Sequence, residues 1–214
     1  MTRYDLQTRL FAISLSALAG YVDAAGFLGT GGSFMSFMSG NSTRLGVSAV
    51  TSGDMAVSAG LLILAFVAGV MVAALFLRRF HAHRSRFLLS LVAAGLALAA
   101  MLAQAPTPPL LAFLPAAFAM GAMNMMFELD GEVRFGLTYM TGTLVKFAHG
   151  LALAITGEDR WRWLSYLALW SGLAGGAMAG ATAYRFLGVS SLWPCAVAAL
   201  VLALGVPRVA ADQK

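Results

Sequence analysis

Charge and cysteine are what this chain has least of. Charged side chains make up only 11% of its 214 residues, and Cys195 is the single cysteine. One thiol excludes an internal disulfide framework and any cysteine-built metal cluster, and it leaves the redox compartment open. No Ser-His-acid set and no His-Glu-x-x-His pattern is apparent, which argues against hydrolase chemistry. Gly29-Thr30-Gly31-Gly32 follows no strand and precedes no Lys-Ser/Thr pair, so it is no nucleotide loop. With no ATP-binding motif, active transport by this chain would have to draw on an ion gradient. Neither cofactor nor metal is expected.

What remains is apolar. A hydrophobic content of 60% and a mean hydropathy of +0.81 are incompatible with a soluble fold. The expected class is all-α: a polytopic membrane helix bundle of eight apolar segments. They read as about 10–28, 33–50, 54–77, 87–104, 110–127, 135–156, 163–187 and 191–206, with Asp54 as a helix cap and Pro115 interrupting the fifth. The connections are too short for an extramembrane domain. The net charge of +5 gathers in Arg78, Arg79, Arg84 and Arg86, a positive-inside signal rather than a nucleic-acid surface. His81 and His83 share that loop, where solvation is expected and contact with anionic lipid is the alternative. Arg3 and Arg9 precede the first apolar run, and Ala17-Leu18-Ala19 resembles a signal-peptidase site. The run continues to Leu28, however, so an uncleaved first helix is expected.

Against that background, Gly20 to Arg44 stands out. Asp23 and Arg44 lie inside apolar sequence, where a charge near the bilayer centre costs roughly 2.5–3.5 kcal/mol on the lenient insertion scale. Asp23 is read as a proton or cation site, as a salt-bridge partner of Arg44, or as an interfacial residue. Asn41-Ser42-Thr43 fits a glycosylation pattern by coincidence only, being embedded in apolar sequence.

The two halves resemble each other. Phe37-Met38-Ser39-Gly40-Asn41 matches Tyr139-Met140-Thr141-Gly142-Thr143, and the step from Gly40 to Gly142 also carries Arg44 onto Lys146. Ala65, Gly69 and Ala73 match Gly172, Gly176 and Gly180, small-residue faces suited to close helix packing. Residues 1–104 and 105–214 are therefore expected to be two membrane repeats within one integral-membrane domain. Asp23 has no acidic counterpart, since the offset of 102 residues lands on Met125 with Asn124 beside it.

If all eight segments span, the repeats are parallel; if segments 2 and 6 are short or broken insertions, six spans remain and the repeats are inverted. The inverted arrangement with a cytoplasmic N-terminus collects Arg3, Arg9, the loop arginines, Arg134, Arg160, Arg162, Arg208 and Lys214 on one side, leaving Arg185 on the other. It satisfies the charge bias better.

Gly20-Tyr21-Val22-Asp23-Ala24 with Gly26-Phe27-Leu28, then Ser36-Phe37-Met38 with Gly40-Asn41, and finally Tyr139-Met140-Thr141-Gly142-Thr143 make the chain resemble the YoaK-type family of bacterial inner-membrane proteins (domain of unknown function 1275). The resemblance covers nearly the whole chain. It implies location and topology but neither substrate nor reaction.

The functional expectation is a small permease or channel-like protein, not an enzyme, moving a small solute or ion between the repeats. Asp23, Asn41, Arg44, Asn124, Thr143 and Lys146 are the candidates near the path. Gly40 and Gly142 would let backbone approach a solute, and His149 is a candidate proton relay. The competing expectation is a structural or regulatory membrane protein whose polar residues only pack helices. The lipid bilayer is the expected partner, with a homo-oligomer left open.

Overall fold

A computed structural model describes residues 6–51, 53–79, 84–129, 132–133, 138–157 and 160–205. Expectations placed on Arg3, His81, His83, Arg134, Arg208 and Lys214 fall outside that set. The described residues form eight helices: α1 Leu6–Thr30, α2 Met38–Thr51, α3 Gly53–Arg79, α4 Arg84–Gln104, α5 Pro109–Asn124, α6 Met140–Ile155, α7 Arg162–Leu187 and α8 Leu192–Leu204. Glu128–Leu129 (β1) and Glu132–Val133 (β2) add a two-residue antiparallel ribbon.

Five stretches are long and apolar enough to cross a membrane: Leu6–Thr30, Gly53–Arg79, Arg84–Gln104, Pro109–Phe127 and Arg162–Leu204, the last containing α7, a 3-10 turn and α8. The molecule is thus a multi-pass helical membrane protein. α2, α6 and α8, with 14, 16 and 13 residues, reach only about 21, 24 and 20 Å at about 1.5 Å per residue, short of a hydrocarbon core about 30 Å thick. However, α8 continues an apolar stretch through the 3-10 turn Gly188–Ser191, whereas α2 and α6 stand alone.

Asp54, expected as a cap, lies inside the first turn of α3, and two further features differ from the sequence reading for identifiable reasons. The second segment becomes helical only at Met38, because Gly31 and Gly32 adopt φ of 71° and 119° and turn the chain before it can wind. Pro115 lies inside an unbroken α5. That helix packs on both α3 and α4, and one missing backbone bond is tolerated where neighbours hold the helix in place.

The small-residue faces set the packing. A Cβ on Gly176 would fall on the Ala17 carbonyl, and one on Gly20 would fall on the Leu173 carbonyl, so α1 and α7 touch backbone to backbone. On the other side of the bundle Gly69 meets the Phe118 carbonyl and Gly121 meets the Phe66 carbonyl, joining α3 to α5 in the same way. Helices without a water-driven hydrophobic force between them associate through such close contact.

Helix directions follow from paired contacts. Ile13, Ala17 and Tyr21 lie in turn against Gly172, Gly176 and Gly180, so α1 and α7 run parallel. At the start of α1 the Phe11 ring packs edge-on against Phe127 (centroids 6.4 Å apart), whereas Gly29 near its end lies against the Phe113 ring. α1 and α5 are therefore antiparallel. Arg84 at the start of α4 bonds Glu128 after α5, through its carboxylate at 2.9 Å and its carbonyl at 2.6 Å, and the Phe76 and Phe87 rings stack beside it. These contacts bring the start of α1, the end of α3, the start of α4 and the end of α5 to one end of the bundle.

The core between the helices is built from fully buried Leu15, Val22, Leu62, Leu89, Leu96, Phe113 and Met120. Leu64, Val72, Leu75, Met178 and Phe186 face outward, as a lipid-contacting surface requires.

Candidate functional site

Residues 31–37 form the most distinctive local feature. After α1 ends at Thr30, Gly31 and Gly32 reverse the chain, and the linker runs back along the helix it has just left. Thr30 Oγ1 accepts the Ser33 amide at 3.0 Å and donates to the Gly26 carbonyl at 2.7 Å, fixing the start of the return. Met35 then packs, fully buried, against Gly26.

The return ends on Asp23. Its Oδ1 accepts the Met35 and Ser36 amides at 2.7 and 2.6 Å, and its Oδ2 accepts the Ser36 hydroxyl at 2.7 Å. Asp23 precedes Thr30 by seven residues, so the linker comes back by about 10 Å at about 1.5 Å per helical residue. Three donors converge on an acceptor-only group, an arrangement suited to a carboxylate. The partner expected from sequence among side chains, Arg44, is elsewhere: its guanidinium lies against Gly32. Backbone amides take its place.

Asn41 holds the linker from the other side. Its Oδ1 accepts the Phe34 amide at 3.0 Å while its Nδ2 donates to the Phe34 carbonyl at 2.6 Å, and the side chain is fully buried. This two-bond clamp uses the separate acceptor and donor atoms of one side-chain amide.

A second intramembrane polar contact lies ahead of α6. Asn124 on α5 donates through Nδ2 to the Met120 carbonyl at 2.9 Å and accepts the Thr138 hydroxyl on Oδ1 at 3.3 Å, with both side chains buried. Thr138 lies just ahead of α6, as Ser36 lies just ahead of α2. Buried Thr143 donates to the Tyr139 carbonyl, closing the first turn of α6.

A cavity of about 560 Å³ opens beside Asp23. On one side α1 supplies Gly20, Asp23 and Phe27, and the linker supplies Phe34 and Phe37; on the other are Thr138, with Thr141 and Leu144 of α6, and Leu173 and Ala177 of α7. The three phenylalanines form a chain, with ring centroids 5.0 Å apart for Phe27 and Phe34 and 5.3 Å for Phe34 and Phe37. The volume lies within the range of about 300–1,000 Å³ usual for small-molecule sites.

Of the residues singled out from sequence, only Asp23 lines this cavity directly. Asn41 and Asn124 sit one layer behind, holding the linker and Thr138. Lys146 and His149 are exposed on α6, Arg44 is half-buried on α2, and Gly142 faces open space. Gly40 packs under the Phe37 and Phe34 rings, letting them approach the start of α2. Ser36 and Thr138, which bond the two intramembrane polar groups, were not singled out. Their signal is a hydroxyl residue two positions before each of the short helices α2 and α6.

The family described as a protein of unknown function, DUF1275, matches residues 11–205. A UPF0700 transmembrane protein of Rhizobium meliloti (strain 1021) is 38% identical over 204 residues, covering 91% of this chain and 85% of the relative. No solved structure matches. The match spans the return linker, both intramembrane polar groups and the cavity walls, and the chain belongs to the DUF1275 family of transmembrane proteins.

Proposed function

We propose that this protein is a small permease or channel-like protein, not an enzyme, which moves a small solute or ion between two inverted repeats, residues 1–104 and 105–214. The observation that carries this reading is the cavity, bounded by α1 and the linker of one half and by α6 and α7 of the other, with a carboxylate in its wall.

Inversion is supported by counting passages. If α2 crossed the membrane completely, α1 and α5 would point the same way, yet they are antiparallel. If α6 crossed completely, α7 would oppose α1, yet those two are parallel. Six full spans and two segments that enter and return satisfy both relations. The reciprocal glycine contacts also support duplication: from Gly20 to Gly121 and from Ala17 to Phe118 is 101 residues, and from Gly69 to Gly176 and from Phe66 to Leu173 is 107. In this register Asp23 corresponds to Asn124, and Ser36, at the offset of 102, to Thr138.

Orientation follows from charge. The end holding the start of α1 carries Arg9, Arg78, Arg79, Arg84, Arg86, Arg160 and Arg162, whereas Arg185 ends α7 at the other. We assign the arginine-rich end to the cytoplasm and the protein to the bacterial inner membrane.

A structural role without transport is the second reading, favoured by the fact that Asp23 already accepts three hydrogen bonds from the linker. Flux from proteoliposomes across a panel of inorganic ions and small organic solutes separates the two. Leu144→Trp, which fills the cavity from a partly exposed position, is expected to abolish flux of the transported solute. Arg44→Gln is expected to affect it far less. Absence of flux across the panel would favour the structural reading, and flux unaffected by Leu144→Trp would move the path elsewhere.

A further inference from the structure

We infer that the cavity beside Asp23 is a binding site for a hydrophobic organic monocation, such as a quaternary phosphonium or ammonium compound with aromatic or bulky alkyl groups. This rests on the permease reading and names the substrate class for the same site.

Among the described residues of its wall the cavity holds one formal charge: Asp23 is the only ionisable side chain in that lining, which includes no arginine, lysine or histidine. The hydrogen bonds account for both amides and the hydroxyl that fix the carboxylate, all of them donors, so no cation is supplied by the neighbouring described side chains. Asp23 nevertheless keeps a partly exposed surface on the cavity. An anionic guest would be repelled there, and a neutral one would leave the carboxylate facing apolar surface. A compact inorganic cation would lose its hydration shell to a wall made largely of carbon. A cation whose charge is spread within an apolar envelope loses little hydration and gains the field of the carboxylate.

The aromatic chain reinforces this choice. Phe27, Phe34 and Phe37 all line the cavity, with neighbouring ring centroids 5.0 and 5.3 Å apart. Cations bind aromatic faces most strongly where water is excluded, and quaternary ammonium groups are the usual guests of such surroundings. Leu144, Leu173 and Ala177 complete an envelope for apolar substituents. The cavity of about 560 Å³ accommodates one such molecule.

Equilibrium dialysis of tetraphenylphosphonium against the full-length protein in lipid nanodiscs tests this, with empty nanodiscs subtracted. Tetraphenylborate, of similar size and shape and opposite charge, is the control for partitioning into lipid. Saturable binding of about one phosphonium per chain is expected, with no saturable borate binding. Asp23→Asn is expected to weaken phosphonium binding roughly tenfold or more, equivalent to about 1.4 kcal/mol. Asparagine can still accept both linker amides through its carbonyl oxygen, so the fold is expected to persist. Leu144→Trp provides an independent variant that leaves those bonds untouched, and it too is expected to remove saturable binding. Equal saturable uptake of phosphonium and borate, no saturable phosphonium uptake, or binding unaffected by both substitutions would overturn the inference. Flux of other solutes without phosphonium binding would remove this inference alone, whereas phosphonium binding without any flux would remove the permease reading and leave the site.

Discussion

Gly176→Leu and Gly69→Leu are each expected to prevent stable assembly, while Gly175→Leu leaves it nearly intact. Gly176 and Gly69 are buried where the Ala17 and Phe118 carbonyls occupy the space a Cβ would need. These neighbours are backbone atoms of packed helices and cannot rotate aside as a side chain can. Overpacking ordinarily costs about 1–3 kcal/mol, and a clash between backbones belongs at the upper end or beyond. Gly175, one residue from Gly176, is exposed and meets nothing within 4 Å. Thermal unfolding of purified protein in detergent, followed by size-exclusion recovery, checks the contrast. The two buried positions lie in separate crossings, α1 with α7 and α3 with α5, so the milder Gly69→Ala and Gly176→Ala effects should add. Similar losses at both would accord with equivalent crossings, and a harmless substitution at either would show that its helices can separate without cost.

Asn41→Ala carries the second large expected effect. It removes both hydrogen bonds to Phe34 and leaves that residue's amide and carbonyl without their partner. A buried polar group stripped of its partner costs about 1–3 kcal/mol, so two such groups bring the expected loss to about 2–6 kcal/mol. Asn41→Asp should be no better, because it places a carboxylate oxygen against the Phe34 carbonyl in place of a donor. Asn41→Gln offers both functions on a longer arm and should recover part of the stability. The same thermal measurement, paired with hydrogen exchange across residues 31–37, separates loss of the linker from global unfolding. Protection unchanged in Asn41→Ala would mean that the Asp23 contacts hold the linker unaided.

Much of the membrane architecture was legible because it is written in side chains. Apolar runs announced the spanning helices, and Ala65, Gly69 and Ala73 with Gly172, Gly176 and Gly180 marked the faces that come together. The partner of Asp23 was not legible. A buried carboxylate accepts from any N–H, and backbone amides, present at almost every residue, leave no mark in a pattern of residue types. Arg44 was the natural expectation, whereas the glycines at 31 and 32 allow the chain itself to reach the acid. The proposed duplication has two registers: the glycine contacts relate α1 to α5 by 101 residues, which pairs Asp23 with Asn124, whereas the α2 and α6 motifs differ by 102, which pairs it with Met125. The cavity lay beyond reach as well, since its walls come from four chain segments and most of its lining is ordinary apolar sequence.

The two polar returns also differ in chemistry. Among the described residues Asp23 gathers two amides and a hydroxyl, whereas Asn124 receives one hydroxyl and spends its own amide on α5. On the proposed duplication, one acid in place of one amide gives a bundle nearly symmetric in packing and asymmetric in charge, with the Asp23 carboxylate on one cavity wall.

Everything functional rests on α2 and α6 entering and returning, and single-cysteine accessibility tests this most directly. With buried Cys195 replaced by alanine, cysteines are introduced singly in place of Arg86, Thr107 and Arg160 and exposed to a membrane-impermeant maleimide in intact cells. Thr107→Cys should be labelled from outside, and Arg86→Cys and Arg160→Cys should both react only after the membrane is permeabilised. Labelling of the Arg86 and Arg160 positions from opposite sides, as eight full spans require, would contradict the inverted arrangement and the cavity's place between its halves.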